Sequence, residues 1–217
     1  MLDEKIIKVR SLIDSLKLYK RGFINSYIEH NEGAWPLIRL SEILHERSEF
    51  CEKNGTYPHA TLSKEGVSEK TERYDRDYLV ASEDKKYKVT RLNDLCYNPA
   101  NLKFGVICLN TFGAAIFSPI YITFEISKNH IPGFIGAMLM RPDFINRALK
   151  YQQGTVYERM AVSPDDMLSM YVRLPSKEEQ ERVASAIAKL ETVVKSEETT
   201  LENLYQLKKA LLRELII

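Results

Sequence analysis

The sequence is poor in cysteine, glycine and proline, and neither sign of charge dominates. The three cysteines, Cys51, Cys96 and Cys108, are odd in number and show no CxxC spacing. That excludes a disulfide framework and a zinc ribbon, and points to reduced thiols packed as small hydrophobes. Nine Gly and eight Pro in 217 residues argue against long flexible linkers and against an all-turn β architecture. The 31 Lys+Arg against 30 Asp+Glu give a formal net charge of +1, which excludes a histone-like binder held by bulk positive charge. No apolar run approaches the roughly 18 residues of a membrane helix. The start, Met1-Leu2-Asp3-Glu4-Lys5, is charged where a signal peptide needs a clean apolar stretch, so a cytoplasmic protein with no membrane partner is expected.

The hydrophobic fraction of 44% and the aromatic fraction of 10% suffice for a core, and the length suggests one domain with an appendage. The two ends share a heptad spacing. Leu2, Ile6, Val9, Ile13 and Leu16 lead to Lys20, Phe23 and Tyr27. Val183, Ile187, Leu190 and Val194 lead to Glu197, Leu201, Leu204, Lys208, Leu211 and Leu215. Steps of three and four keep one helix face against a partner helix. At an offset of 188 the ends superimpose without a gap: Leu2 on Leu190, Asp3 on Glu191, Leu16 on Leu204, Ile24 on Leu212. Lys20 falls on Lys208, so the same charge interrupts both seams. The second helix has a capping box, Ser176 with Glu179 three residues on, and no Pro or Gly thereafter.

The middle reads differently. Trp35 to Leu40 is extended, and Leu92 to Ile126 alternates short β-rich runs with turn residues, which favours antiparallel strands. Ile131 to Lys150 reads helical with a break at Arg141-Pro142, and Val172-Arg173-Leu174 is a last short strand. The expected fold class is α+β: one globular domain with antiparallel strands, flanked by two long helices forming an antiparallel coiled coil. The expected divisions are 1–28, 29–175 and 176–217.

Catalytic patterns fail. His30, His45, His59 and His130 show no HExxH spacing, and there is no GxSxG elbow or GxxxxGK[ST] loop. Asn98-Pro99-Ala100-Asn101 lacks the second proline and the aromatic ring of an amino-methyltransferase motif. Asp165-Asp166 lacks the Glu-x-Lys partner of a nuclease. No metal site is expected. Polar loops without a reaction centre favour recognition over catalysis. A DNA-reading domain needs Lys and Arg for phosphates, and amides or Arg for base edges. Three segments offer them. The first is a basic strip, Lys85, Lys86, Lys88, Arg91 and Lys103, beside Asn98 and Asn101. The second holds Ser63, Lys64, Lys70 and Arg73. The third holds Tyr151, Gln152, Gln153, Thr155 and Arg159.

Tyr87-Lys88-Val89-Thr90-Arg91 through Tyr97-Asn98-Pro99, followed by Gly105-Val106-Ile107, Gly113, Ser118-Pro119-Ile120-Tyr121 and Phe124, resembles a target recognition domain. The family is that of type I restriction–modification specificity subunits. Leu174-Pro175-Ser176-Lys177-Glu178-Glu179-Gln180 resembles the family's junction into its conserved-region helix. Leu204 to Leu212 resembles that helix's end, and Leu2 to Phe23 resembles another copy of it.

The resemblance implies a non-catalytic subunit that binds double-stranded DNA and selects its sequence. It implies modification subunits that methylate adenine with S-adenosylmethionine and a restriction subunit that cleaves with ATP and Mg, so no cofactor on this chain. A full-length family member has two recognition domains; this sequence has one, and so resembles a half-subunit equivalent to a C-terminal half. The matching helices predict a homodimer, or pairing with a second half-subunit, through residues 2–28 and 178–216, reading an interrupted palindrome. The competing arrangement is a helical hairpin within one chain. The alternative function is a non-DNA protein-interaction module built on that hairpin.

Overall fold

Two amphipathic helices at the ends and a β-rich middle are what the computed structural model contains. It describes residues 1–52, 55–70, 86–153 and 160–214. These form two units, Met1–Asn31 with Glu181–Ile217, and Glu32–Gln180.

In the helical unit, α1 (Leu2–Asn31) lies antiparallel to the long C-terminal helix, which ends at Glu214. Ile6, Ile13, Ile24 and Ile28 are buried from α1, and Val183, Ile187, Val194 and Leu204 from its partner. Each such side chain contributes about 1.5–3 kcal/mol when fully buried. Leu2, Val9, Leu16, Phe23, Leu190 and Leu201 are half-buried, flanking that stripe. Leu211 departs from the predicted seam and is exposed, because it lies beyond the reach of α1's first turn. Leu215 lies outside the described residues. The two helices meet each other in the one chain described.

The polar contacts across this pair have a regularity. Asp3 accepts from Lys208 at 2.5 Å and Glu191 accepts from Lys20 at 3.0 Å. Arg10 donates to the Tyr205 hydroxyl, and Lys17 meets Glu198 at 2.6 Å. Moving each residue by the 188-residue offset converts the first contact into the second, and the third into the fourth. The repeat is therefore a local pseudo-two-fold relation between the helices.

In the globular unit the strands run β1 (Leu37–Arg39), β2 (Leu44–Glu46), β3 (Phe50–Glu52), β4 (Ala60–Ser63) and β5 (Gly66–Glu69). Next come β6 (Lys86–Thr90), β7 (Leu95–Tyr97), β8 (Ile107–Leu109), β9 (Ala115–Phe117) and β10 (Ile122–Ile126). Then follow α2 (Pro132–Leu139), α3 (Pro142–Ala148), α4 (Pro164–Ser169), β11 (Tyr171–Arg173) and the start of α5 (Lys177–Glu214). The named strands pair antiparallel throughout, in the orders β2-β10-β7-β8, β3-β6-β9, β1-β11 and β4-β5. Proline opens α2, α3 and α4, where its missing N–H costs nothing. The break at Arg141-Pro142 thus separates two helices.

The core is aromatic. Tyr97 stacks on Phe124 with centroids 5.9 Å apart, and Trp35 meets Phe134 edge-on at 6.0 Å. Helix α2 approaches β8 so closely that a Cβ at Gly136 would lie 3.0 Å from the Leu109 Cβ. Ser176 caps α5. Ser176 Oγ accepts from the Glu179 amide at 3.3 Å, while Glu178 is held below the usual carboxylate range by its own amide and the Ser176 hydroxyl.

Candidate nucleic-acid interface

Strand direction sorts the loops into two groups. From β6 to β10 successive strands alternate in direction, so turns 91–94 and 110–114 fall at one end of the unit. Turns 98–106 and 118–121 fall at the other. The β4-β5 hairpin points toward the second end: His59 bridges Ile116 in parallel, and Leu62 and Val67 pack in the cluster that holds Val106 and Tyr121.

The first end is closed on itself. Asp94 is buried and accepts Arg47 Nε and Nη2 at 2.8 and 2.9 Å, plus the Arg91 amide at 2.7 Å. Arg91 forks onto Glu49 at 2.9 and 3.0 Å, and Arg47 also lies 3.4 Å from Glu125. The hydrogen bonds they donate to Asp94 and Glu49 raise the Arg47 and Arg91 guanidinium pKa values respectively, fixing both charges. Buried Asn110 ties the two turns together. Its Nδ2 donates to Thr90 Oγ1, the Arg91 carbonyl and the Gly113 carbonyl, each at 2.9 Å. Its Oδ1 accepts from the Phe112 and Gly113 amides. Asn93, at φ 68°, supplies the left-handed residue this turn needs.

Two members of the basic strip are therefore not free cations. Lys88 is only 3% exposed; its Nζ donates to Glu46 at 2.8 Å and sits 5.1 Å from the Phe50 ring centroid. The reason is register: Lys88 opposes Phe50 and Phe117 in the middle strand of its sheet, too deep for a phosphate to reach. Arg91 is spent on Glu49, at the end away from the other candidates.

The second end gathers the rest. Lys86 starts β6 opposite Glu52 and is exposed, and Lys64 is exposed at the hairpin turn. Lys103 is exposed, with Nζ 5.0 Å from the Phe104 ring centroid. Ser63 builds its turn: its Oγ donates to Glu65 Oε2 at 2.8 Å and accepts the Glu65 amide at 3.1 Å. Asn98 is likewise a scaffold residue, buried, with Oδ1 accepting the Ala100 amide at 3.1 Å. Asn101 precedes a short 3-10 turn, Leu102–Phe104, which Gly105 closes at φ 77°. Lys70 is set back from this end, half-buried at the base of the β4-β5 hairpin, its amide donating to the His59 carbonyl.

Tyr151, Gln152 and Gln153 join this end through a strut: Tyr97 Oη donates to the Val162 carbonyl at 3.0 Å, the Val162 amide to the Pro99 carbonyl, and Gln153 bridges Ala161. Tyr151 is exposed, Gln153 Nε2 donates to Asp166, and Gln152 Nε2 is buried with no partner among the described residues. Arg73, Lys85, Thr155 and Arg159 lie outside the described residues. Spacing gave no signal for the exposed Phe104 and Ile120 at this end.

The exposed ammoniums of Lys64, Lys86 and Lys103 suit contact with an anion. Among the described residues no cluster of His, Cys, Asp or Glu is arranged to hold a metal. Burial pushes the Cys108 thiol up to about 11 and the Cys96 thiol higher still, so neither is a thiolate at neutral pH. No helix among the described residues is long and apolar enough to cross a membrane.

No protein-family model and no curated protein matches the sequence. Solved structures do match, along nearly the whole chain. A type I restriction–modification S subunit from M. genitalium aligns with a TM-score of 0.62 at 15% identity, over 99% of this chain and 57% of that one. An HsdS subunit from Thermoanaerobacter tengcongensis gives 0.51 at 14%, over 98% and 55%. A chain from a study of complex assembly and conformational transition in the type I R-M system gives 0.52 at 15%, over 98% and 55%. The chain has the fold of type I restriction–modification S subunits, and spans little more than half their length. It carries one globular unit of that fold.

Proposed function

We propose that this protein is a DNA specificity subunit of a type I restriction–modification system, reading one half of a bipartite target. The observation that carries the proposal is the S-subunit fold along nearly the whole chain, with exposed Lys64, Lys86 and Lys103 at one end of the globular unit. Phosphate contacts from these lysines would position the unit, and neighbouring loops would read bases. The chain contributes recognition and no reaction step. Adenine methylation from S-adenosylmethionine, and cleavage driven by ATP with Mg, belong to modification and restriction subunits docked on it. The near-neutral charge fits that division, since partner subunits clamping the duplex supply much of the phosphate neutralisation.

The helical unit supports a further element of the proposal. Two copies, each presenting α1 and α5, form a homodimer with two recognition units related by symmetry, and so read an interrupted palindrome. Light scattering at tens of micromolar tests this, and monomer alone at that concentration rules it out. Methylation of a non-palindromic bipartite site in cells holding this chain as their one specificity subunit rules out the palindrome.

The central test is duplex binding by the chain with its modification subunit, measured against salt. Affinity should fall with salt while the preference for one sequence persists. Absence of any duplex binding in that complex favours the protein-interaction module instead.

A further inference from the structure

Two loops at the lysine-bearing end present large apolar side chains to solvent. Phe104 is 54% exposed and Ile120 57%. Neither is a loose surface residue. Phe104 closes the turn whose Leu102 is wholly buried, and its amide donates to the Asn101 carbonyl at 3.0 Å. Around it the Asn101 amide donates to the Asn98 carbonyl, the Asn98 amide to the Val106 carbonyl, and the Gly105 amide to the Leu102 carbonyl. Ile120 sits in a turn closed by the Tyr121 amide on the Ser118 carbonyl at 3.1 Å, after Pro119. Val106 and Tyr121, one from each loop, pack on the same buried group of Leu62, Cys96, Cys108 and Phe117. The two loops are thus held side by side on one rigid base.

Their charge is equally marked. From Asn98 to Val106 and from Ser118 to Tyr121, the single charged side chain is Lys103. The opposite end, where Leu92 and Phe112 are exposed, carries three carboxylates, Glu49, Asp94 and Glu125, against the two guanidiniums of Arg47 and Arg91 that pair with them. An apolar tip fringed with carboxylates is repelled by a duplex. One fringed by an ammonium is drawn to it.

We infer that Phe104 and Ile120 determine sequence preference by packing against the 5-methyl groups of thymines in the major groove. This rests on the DNA-reading proposal above and deepens it. Thymine alone among the bases offers an apolar knob on its major-groove edge, and apolar side chains read it by contact. The ordered turns pay no further conformational cost on contact, and Lys103 lies close enough to reach a flanking phosphate.

The test uses the full chain with its modification subunit and a randomised duplex pool. Wild type should select a sequence with at least one A·T position. Replacing that thymine by uracil, which lacks only the methyl, should weaken binding about tenfold. Phe104→Ala or Ile120→Ala should relax the preference at that position, keep the salt slope, and become indifferent to uracil. Phe104→Leu should restore part of the preference. Both side chains are exposed, so the variants should keep the Trp35 fluorescence of the folded unit. Unchanged preference in both alanine variants, or indifference of wild type to uracil at every selected thymine, overturns the inference while leaving DNA reading intact. Failure of the wild-type complex to select any sequence overturns both.

Discussion

Replacing Glu46 by glutamine should destabilise the globular unit more than replacing Lys88 itself by methionine. The Lys88 side chain is 4% exposed, and Glu46, its partner at 2.8 Å, is 30% exposed. Losing one partner of a fully buried ion pair costs about 3–5 kcal/mol, because the other charge is stranded. Glu46 is partly in water, so that figure must be discounted. Glu46→Gln strands the buried ammonium and should cost about 2 kcal/mol. Lys88→Met removes the buried charge, keeps an apolar stem near Phe50, and leaves Glu46 to turn toward water; about 1 kcal/mol or less is expected. The double variant should resemble Lys88→Met. Urea unfolding followed by Trp35, the single tryptophan and a buried residue of this unit, reads the result. With a slope of about 2 kcal/mol/M, Glu46→Gln moves the midpoint by about 1 M. Lys88→Met should leave the salt slope of duplex binding unchanged. A larger midpoint loss for Lys88→Met than for Glu46→Gln, or a slope reduced by about one, refutes the assignment of Lys88 to the scaffold.

Asn110→Ala removes the group joining the two turns, takes a partner from the buried Thr90 hydroxyl and strands several part-buried backbone carbonyls and amides. It should cost about 2–3 kcal/mol in the same unfolding assay. Asn93→Val places a β-branched residue at φ 68° and should cost at least about 1 kcal/mol, whereas Asn93→Gly should be close to neutral. Stability should fall at alkaline pH. The Cys108 thiol ionises near 9 when unfolded and about 11 when folded, so its contribution is intact below 9 and is lost as pH rises toward 11. Cys108→Ala should flatten the pH dependence of the urea midpoint over that window.

The helices were the most legible part of the sequence, since a heptad pattern survives whatever the partner. Even there the strict seam through Lys20, Phe23 and Tyr27 gives way to Ile24 and Ile28. A straight α-helix drifts about 20° per heptad, so the buried face moves off a 3.5-residue repeat by the fourth turn and beyond. The antiparallel strands and the helix break at Pro142 followed from local turn and periodicity signals. The site was less legible, because charge type says nothing about whether a side chain is already engaged. Lys86 and Lys88 lie two residues apart on one face of β6, and depth along the strand separates them: Lys86 stands at its exposed start, while Lys88 sits between Phe50 and Phe117 and is buried in an ion pair. Asn98 and Ser63 have the chemistry of base readers, yet their oxygens are consumed by the turns they build. Phe104 and Ile120 give no signal in the sequence, because an apolar residue reads as core until its burial is known.

The four polar contacts across α1 and α5 pair off under the 188-residue shift, and this has a consequence for chain connectivity. Helix α1 of one molecule offers α5 of another the same partners it offers its own. Exchange between molecules then alters which chain supplies each helix, with little change in contact energy. The balance between closed chains and exchanged pairs is left to the effective concentration that the tether imposes and to the concentration of protein around it. On the homodimer proposal, assembly would in this sense be a dial set by abundance, and a substitution in one of these contacts, being felt alike by closed and exchanged forms, should leave it where it is.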